Sequence, residues 1–176
     1  MQHLITLLLC FCFFLTPLAA QQAVDRPAEL PPGSVRVGKQ AKTDDGPTRL
    51  LTAVYSTIRY PKVSREAGLM GGVAIQLHVD EHGQLTVSDA QFHTLEETIS
   101  IYGELPTDQL IQVIGYSSSG TVPALTRSAK RRTRAETALV KEVVRTFEHL
   151  PAFNPAVHDG QAVASELLYV VSFMLE

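Results

Sequence analysis

The spacing of apolar residues changes several times along the chain, and each change predicts an element. Leu4 to Leu15 is an almost unbroken apolar run, followed by Pro17, the small residues Ala19 and Ala20, and then polar Gln21 and Gln22. That order is the layout of a secretory signal peptide over residues 1–20. Met1, Gln2 and His3 supply no Lys or Arg, so a leader kept as a membrane anchor over residues 4–20 stays open as the alternative, although a spanning helix needs about 20 apolar residues. From Gln21 to Gly46 no period is sustained, and Pro27, Pro31, Pro32, Gly33 and Gly38 predict a flexible linker over 21–46.

Pro47 then opens a helical pattern in which Leu50, Leu51, Val54 and Ile58 share one face. A proline at the first helical position costs no hydrogen bond, because its missing N–H would have no partner there. Tyr60-Pro61 breaks the pattern, and a second short helical turn through Val63 and Ala67 ends at Gly68, the residue that most easily takes the left-handed closing conformation. Val73, Ile75, Leu77 and Val79 alternate with Ala74, Gln76, His78 and Asp80, the period of a strand with one buried face. Gly83 turns the chain and Leu85 with Val87 begins the returning strand of a hairpin.

After Phe92 the spacing loses its regularity, and residues 93–132 read as an insertion with a helix-compatible Leu95 to Ile101, a strand-like Leu110 to Tyr116 and a turn-rich Ser117 to Gly120. Thr133 with Glu136 has the spacing of a capping box, so the next helix is expected to start there, with Ala135, Leu139, Val143 and Phe147 as its core stripe. Pro151 and Pro155 end it, a loop runs through Asp159-Gly160, and Val163 to Leu175 is a final strand. Its odd positions from Leu167 to Leu175 are expected to face the helices. The even face, Leu168, Val170, Ser172 and Met174, is nearly as apolar, and calls for cover by the insertion, a partner or a second copy.

Composition narrows the function classes. The chain has 176 residues, 45% hydrophobic and 19% charged, which suits one domain plus appendages. A net charge of −3 argues against a nucleic-acid binder, since phosphate recognition needs a basic excess. The one basic run, Arg127, Lys130, Arg131, Arg132 and Arg134, reads as a solvated loop before the helix, with positive charge disfavoured at a helix start. Both cysteines, Cys10 and Cys12, fall in the leader, so no disulfide is expected after cleavage.

Candidate chemistry is sparse. Gly115 to Gly120 reads Gly-Tyr-Ser-Ser-Ser-Gly and misses the spacing of a nucleophile elbow, and no general base is framed around it. Asp44 with Asp45 and Glu96 with Glu97 read as solvated pairs. His78, His82, His93, His149 and His158 have no metal-ligand spacing. The expectation is therefore no enzyme, no metal, no cofactor and no small-molecule substrate.

Three groups of residues carry a resemblance. Tyr60-Pro61, Arg65, Gly68-Leu69, Gly71 and Val73 form an opening phrase. Val79-Asp80 with Gly83 and Leu85 forms a hairpin phrase, and Phe153, Pro155, Asp159-Gly160-Gln161 and Val163 lead into the last strand. Together, over roughly Leu50 to Glu176, they resemble the C-terminal domain of the TonB family. The chain departs from that pattern in having Ser64 where alanine is usual, Leu150 and Phe153 in a stretch that commonly bears tryptophan, and a much longer connection after the hairpin. The resemblance implies an α+β domain over 47–176, a three-stranded antiparallel sheet with two or three helices on one face. It also implies a periplasmic protein-binding role in transmembrane transport, in which a TonB-box-like peptide of an outer-membrane receptor or other envelope protein adds to the sheet edge. With Val163 to Leu175 as that edge, Ser165, Leu168, Val170 and Ser172 are the expected contacts. A detached or accessory domain is favoured over a complete transducer, since residues 21–46 reach at most about 90 Å at full extension. An anchored energy transducer and a self-associating envelope scaffold, a homodimer through the last strand, are the alternatives.

Overall fold

Asp45 starts the first helix, its carboxylate accepting the Thr48 N–H at 2.8 Å, and α1 spans Gly46–Thr57 with Leu50, Ala53 and Val54 buried. The computed structural model describes residues 24–35, 44–116 and 120–176. The expected signal peptide and its cleavage point lie outside the described residues. Among the described residues, no helix is long and apolar enough to cross a membrane.

After Tyr60-Pro61, α2 spans Lys62–Glu66. Gly68 closes it at φ 64, in the left-handed region, and a Cβ there would collide with the carbonyls of Pro123 and Ala124. Glycine is thus required both by the backbone and by the close approach of the insertion. Ser64 is fully buried and donates its hydroxyl to the Ala135 carbonyl at 2.8 Å, which satisfies the polar group and ties α2 to the helix that carries Ala135.

The hairpin forms as expected, with β1 over Gly71–Val79 and β2 over Leu85–His93. The carboxylate of Asp80 accepts the N–H groups of His82 and Gln84 across the turn. One irregularity separates the pairs Gln76 with Asp89 and Leu77 with Val87, leaving Ser88 as the extra residue of a bulge.

The insertion is ordered over most of its length. It contains α3 (Leu95–Tyr102), a 3₁₀ turn (Thr107–Gln109) and β3 (Leu110–Gly115). A complete capping box does occur in the chain, between Thr94 and Glu97 at the start of α3. The helix expected to be capped by Thr133 is instead capped five residues earlier, by Ser128. This is α4 (Ala129–Glu148), whose Ala135, Leu139, Val143 and Phe147 are all fully buried. Lys130, Arg131, Arg132 and Arg134 are therefore exposed positions in the first turns of a helix rather than a loop. The packing of the apolar stripe outweighs the unfavourable meeting of cations with the helix dipole, worth about 0.3–1 kcal/mol at an exposed site.

Beyond α4, β4 (Ala156–His158) and β5 (Gln161–Val163) form a small hairpin. Asp159 at φ 49 and Gly160 at φ 75 make the paired left-handed turn that short hairpins favour. The last strand, β6, spans Ser165–Leu175.

The class is α+β, and the main sheet is mixed, with the strand order β2-β1-β6-β3. The first three strands are antiparallel neighbours, while β3 runs parallel to β6. This corrects the expectation of a three-stranded sheet: the strand-like stretch of the insertion is a fourth member. Val73, Ile75, Leu77 and Val79 of β1, Val171 and Phe173 of β6, and Ile111 and Val113 of β3 share one core with α1 and α4. The helices are not all on one face. Gly72 points the other way, and a Cβ on it would meet the side chain of Thr98, so α3 packs against the opposite face. The apolar even face of the last strand is thus partly covered by the insertion, one of the three covers its sequence called for.

The segment expected as a linker is anchored over 24–35. Arg26 bridges to Val157 and Glu29 to Asn154, and Leu30 is fully buried. Arg49, itself 3% exposed, donates to the Leu30 carbonyl at 2.8 Å and pairs with Asp44 and Glu29. Isolated bridges and one buried leucine leave no periodic trace in a sequence, so a Pro-rich stretch of this kind reads as a linker.

Candidate strand-docking edge

An edge able to receive a guest strand needs outward main-chain groups that no neighbour uses. Over Val170–Phe173, β6 has β1 on one side and β3 on the other, with Leu110 opposite Val170 and Gln112 opposite Ser172. The expectation that the last strand is the sheet border is corrected for this stretch: Val170 and Ser172 are interior. Ser165 and Leu168 lie where β6 pairs with β1 alone, opposite Val79 and Gln76. Beside that stub, Ala28, Leu30, Asp108 and Phe153 gather around Leu167 and Tyr169 at a 160 Å³ cavity. Burial, with the Asp108 carboxylate nearby, pushes the Tyr169 phenol up to about 12. The four expected contacts are in one strand but do not form one accessible border.

Displacing β3 to expose β6 would be costly. Ile111 is 1% exposed and Val113 is 8%, both within the core, and burying such a side chain contributes about 1.5–3 kcal/mol. Gly115 lies against the ring of Tyr60, which in turn meets Phe173 edge-on at 5.2 Å and donates its hydroxyl to the Leu69 carbonyl. This Tyr60, the first residue of the opening phrase, therefore clamps β3 and β6 together.

The true borders of the sheet are the outer sides of β2 and β3. They differ in kind. On β2 the bulge at Ser88 interrupts the ladder, and Asp89 accepts the Ala90 N–H at 2.8 Å and the Gln91 amide at 2.9 Å. A bulge and a charge that spends itself on the edge are common protections against unwanted pairing. On β3 the six residues Leu-Ile-Gln-Val-Ile-Gly carry no charge and pair with β6 without a register shift. Gly115 accepts the Glu176 N–H, so it turns toward β6, and by alternation Gln112 and Ile114 turn outward. The outward N–H of Gln112 donates to the hydroxyl of Tyr55 on α1 at 3.3 Å. Among the described residues no strand pairs with this side.

Beside this border, α3 and the even face of β3 and β6 enclose an open groove of 430 Å³, with Leu95, Ile99, Tyr102, Leu110, Ser172 and Met174 among its lining. Ile99 is 65% exposed and Ile114 is 39%. A strand laid along β3 would project alternate side chains into that groove. The sequence signal was the charge-free β-branched run at Leu110; what hid its importance was the long separation between β3 and its partner β6.

The remaining polar clusters are local. Asp25, His158 and Asp159 bring one ligand atom each within 4.8 Å of one another, and Asp25 spends one oxygen on the Asp159 N–H. His78 meets Glu166 at 2.7 Å across neighbouring strands, and His93 stacks edge-on with Tyr102. Glu97 is held below the usual carboxylate range by the Thr94 N–H and hydroxyl that it accepts, a capping role rather than an acid–base one. No family model, curated protein or solved structure matches the chain.

Proposed function

We propose that this chain is an exported, TonB C-terminal-like binding module of a bacterial envelope. It takes up an extended segment of an outer-membrane receptor or other envelope protein as an added strand, and β3 replaces the last strand as the receiving edge. The observation that carries the reading is the outer border of β3, an uncharged, unbulged ladder with Gln112 and Ile114 turned outward beside an apolar groove. Main-chain pairing supplies affinity for any extended segment, and the groove selects among side chains. The order of helix, hairpin, helix and strand, with Tyr60-Pro61 and Gly68 at structural junctions, supports the TonB-like reading of the domain.

The anchored N-terminal stretch favours an accessory module over a transducer that spans the periplasm. Because Arg26 is already docked on Val157, the chain from residue 20 to Arg26 extends only about 20 Å at ~3.3–3.6 Å per residue. A retained leader would hold the domain at the membrane surface.

A photo-crosslinking amino acid placed at Ile114, with Ser88 on the other border as control, tests the reading in cells. Capture at Ile114 of one extended segment from another envelope protein, without capture at Ser88, is the expected result. Equal capture at both borders, or at Ser88 alone, would remove β3 as the docking edge.

A further inference from the structure

We propose that a second copy of this chain occupies the β3 border when no guest does, pairing β3 antiparallel with its own counterpart in a register centred on Gln112. The inference rests on the same open edge as the guest-strand reading, and makes the dimer a closed form that guest binding must dissociate.

The strand is self-complementary in this register. Gln112 meets Gln112 of the second copy and the two exchange N–H and carbonyl groups, once Tyr55 releases the N–H it now receives. The outward N–H of Ile114 reaches the Leu110 carbonyl of the other copy. The Leu110 N–H is already given to Thr107, so it is neither needed nor stranded. On the α3 face, Leu110 lies opposite Ile114, an apolar cross-strand pair formed twice by symmetry.

Charge at the two ends of the strand selects a second copy running antiparallel. Exposed Asp108 precedes β3, and Tyr116 follows it. The Tyr116 carbonyl accepts a guanidinium N–H of Arg65 at 3.3 Å, while the buried Arg65 Nε has no hydrogen-bond partner. Antiparallel pairing centred on Gln112 brings the turn that carries Asp108, just before β3 in one copy, to the end of the border where Tyr116 and Arg65 lie in the other. Both ends of the pairing then bring unlike charges together, whereas a parallel arrangement would set Asp108 against Asp108.

Cysteine crosslinking reads the register directly, in the full chain with Cys10→Ser and Cys12→Ser and circular dichroism confirming each fold. Hydrogen-bonded antiparallel partners sit about 5.5 Å apart at Cα, within disulfide reach. Gln112→Cys is expected to form a disulfide-linked dimer, Ile114→Cys alone is not, and a mixture of Ile114→Cys with Leu110→Cys is expected to give the mixed dimer. In sedimentation equilibrium the wild type should show a concentration-dependent dimer, weakened about tenfold or more by Ile114→Lys, which sets a charge against Leu110 on both sides. A wild type that stays monomeric at all concentrations, a dimer indifferent to Ile114→Lys, or Ile114→Cys crosslinking as well as Gln112→Cys would overturn the proposal. None of these results bears on capture of an envelope segment at Ile114, so the two readings fail separately.

Discussion

Tyr55 of α1 reaches over the outer border of the sheet so that its hydroxyl accepts the N–H of Gln112 at 3.3 Å. The phenol is 48% exposed, so it guards the central outward donor of β3 from a position that it can leave without disturbing the core. Replacing it by phenylalanine, Tyr55→Phe, is expected to change stability by no more than about 1 kcal/mol, the net worth of one exposed hydrogen bond. The amide exchange of Gln112 should accelerate and self-association should strengthen. Residue-resolved hydrogen exchange checks the first effect, and an unaltered rate at Gln112 would show that the hydroxyl is not its guard.

A methyl group at Gly115 has nowhere to go. Its Cβ would lie 2.5 Å from Cδ2 of Tyr60, and that ring is already held by Phe173. Gly115→Ala should cost about 1–3 kcal/mol by overpacking. Urea unfolding measures it, and a loss below a few tenths of this range would mean that the clamp between β3 and β6 is loose.

Arg49 is the most deeply buried charge described, and three parts of the N-terminal stretch converge on it: the Leu30 carbonyl, Asp44 and Glu29. Arg49→Met keeps the length of the side chain and removes every donor. A loss of about 2–3 kcal/mol is expected, less than for a dry pair because Asp44 and Glu29 retain solvent. Detachment of residues 24–35 should accompany it, seen as faster amide exchange at Asp25 and Glu29, whose N–H groups are held by the Val157 and Asn154 carbonyls in the wild type.

The course of the polypeptide was legible where burial leaves a period. The stripe Ala135, Leu139, Val143 and Phe147 and the alternation Val73, Ile75, Leu77 and Val79 predict the core-facing sides of α4 and β1, because those side chains are the ones the shared core buries. The border of the sheet was not legible. A run such as Leu110 to Tyr116 announces a strand without announcing its neighbour, and only the fold decides that β3 lies beside β6 rather than β2. The start of α4 was misplaced for a related reason. Thr133 and Glu136 have capping spacing, but Ser128 captures the Arg131 N–H first, and nothing in the side chains between them forbids helix.

Two tyrosines should titrate late. Burial pushes both Tyr60 and Tyr169 up to about 12, against an ordinary value near ~10. The unfolded chain releases these protons from about pH 10, the folded chain only near 12, so their contribution to stability is full below ~10 and is lost as pH rises through the folded value. Absorbance titration of phenolate is expected to show a late phase that shrinks in Tyr169→Phe. If that variant keeps the whole late phase, Tyr169 is not sealed beneath the N-terminal strap.

The strand order also dictates when the sheet is able to assemble. Both β1 and β3 dock on residues 165–175, which follow them in the chain, and neither touches the other as a strand neighbour. Until that stretch emerges, the early hairpin and the insertion have no common template, so the nascent polypeptide cannot complete its core prematurely. On the proposed reading of an exported chain, such a delay keeps the polypeptide unfolded for translocation, and a variant lacking Ser165–Leu175 should accumulate as two unjoined halves prone to degradation.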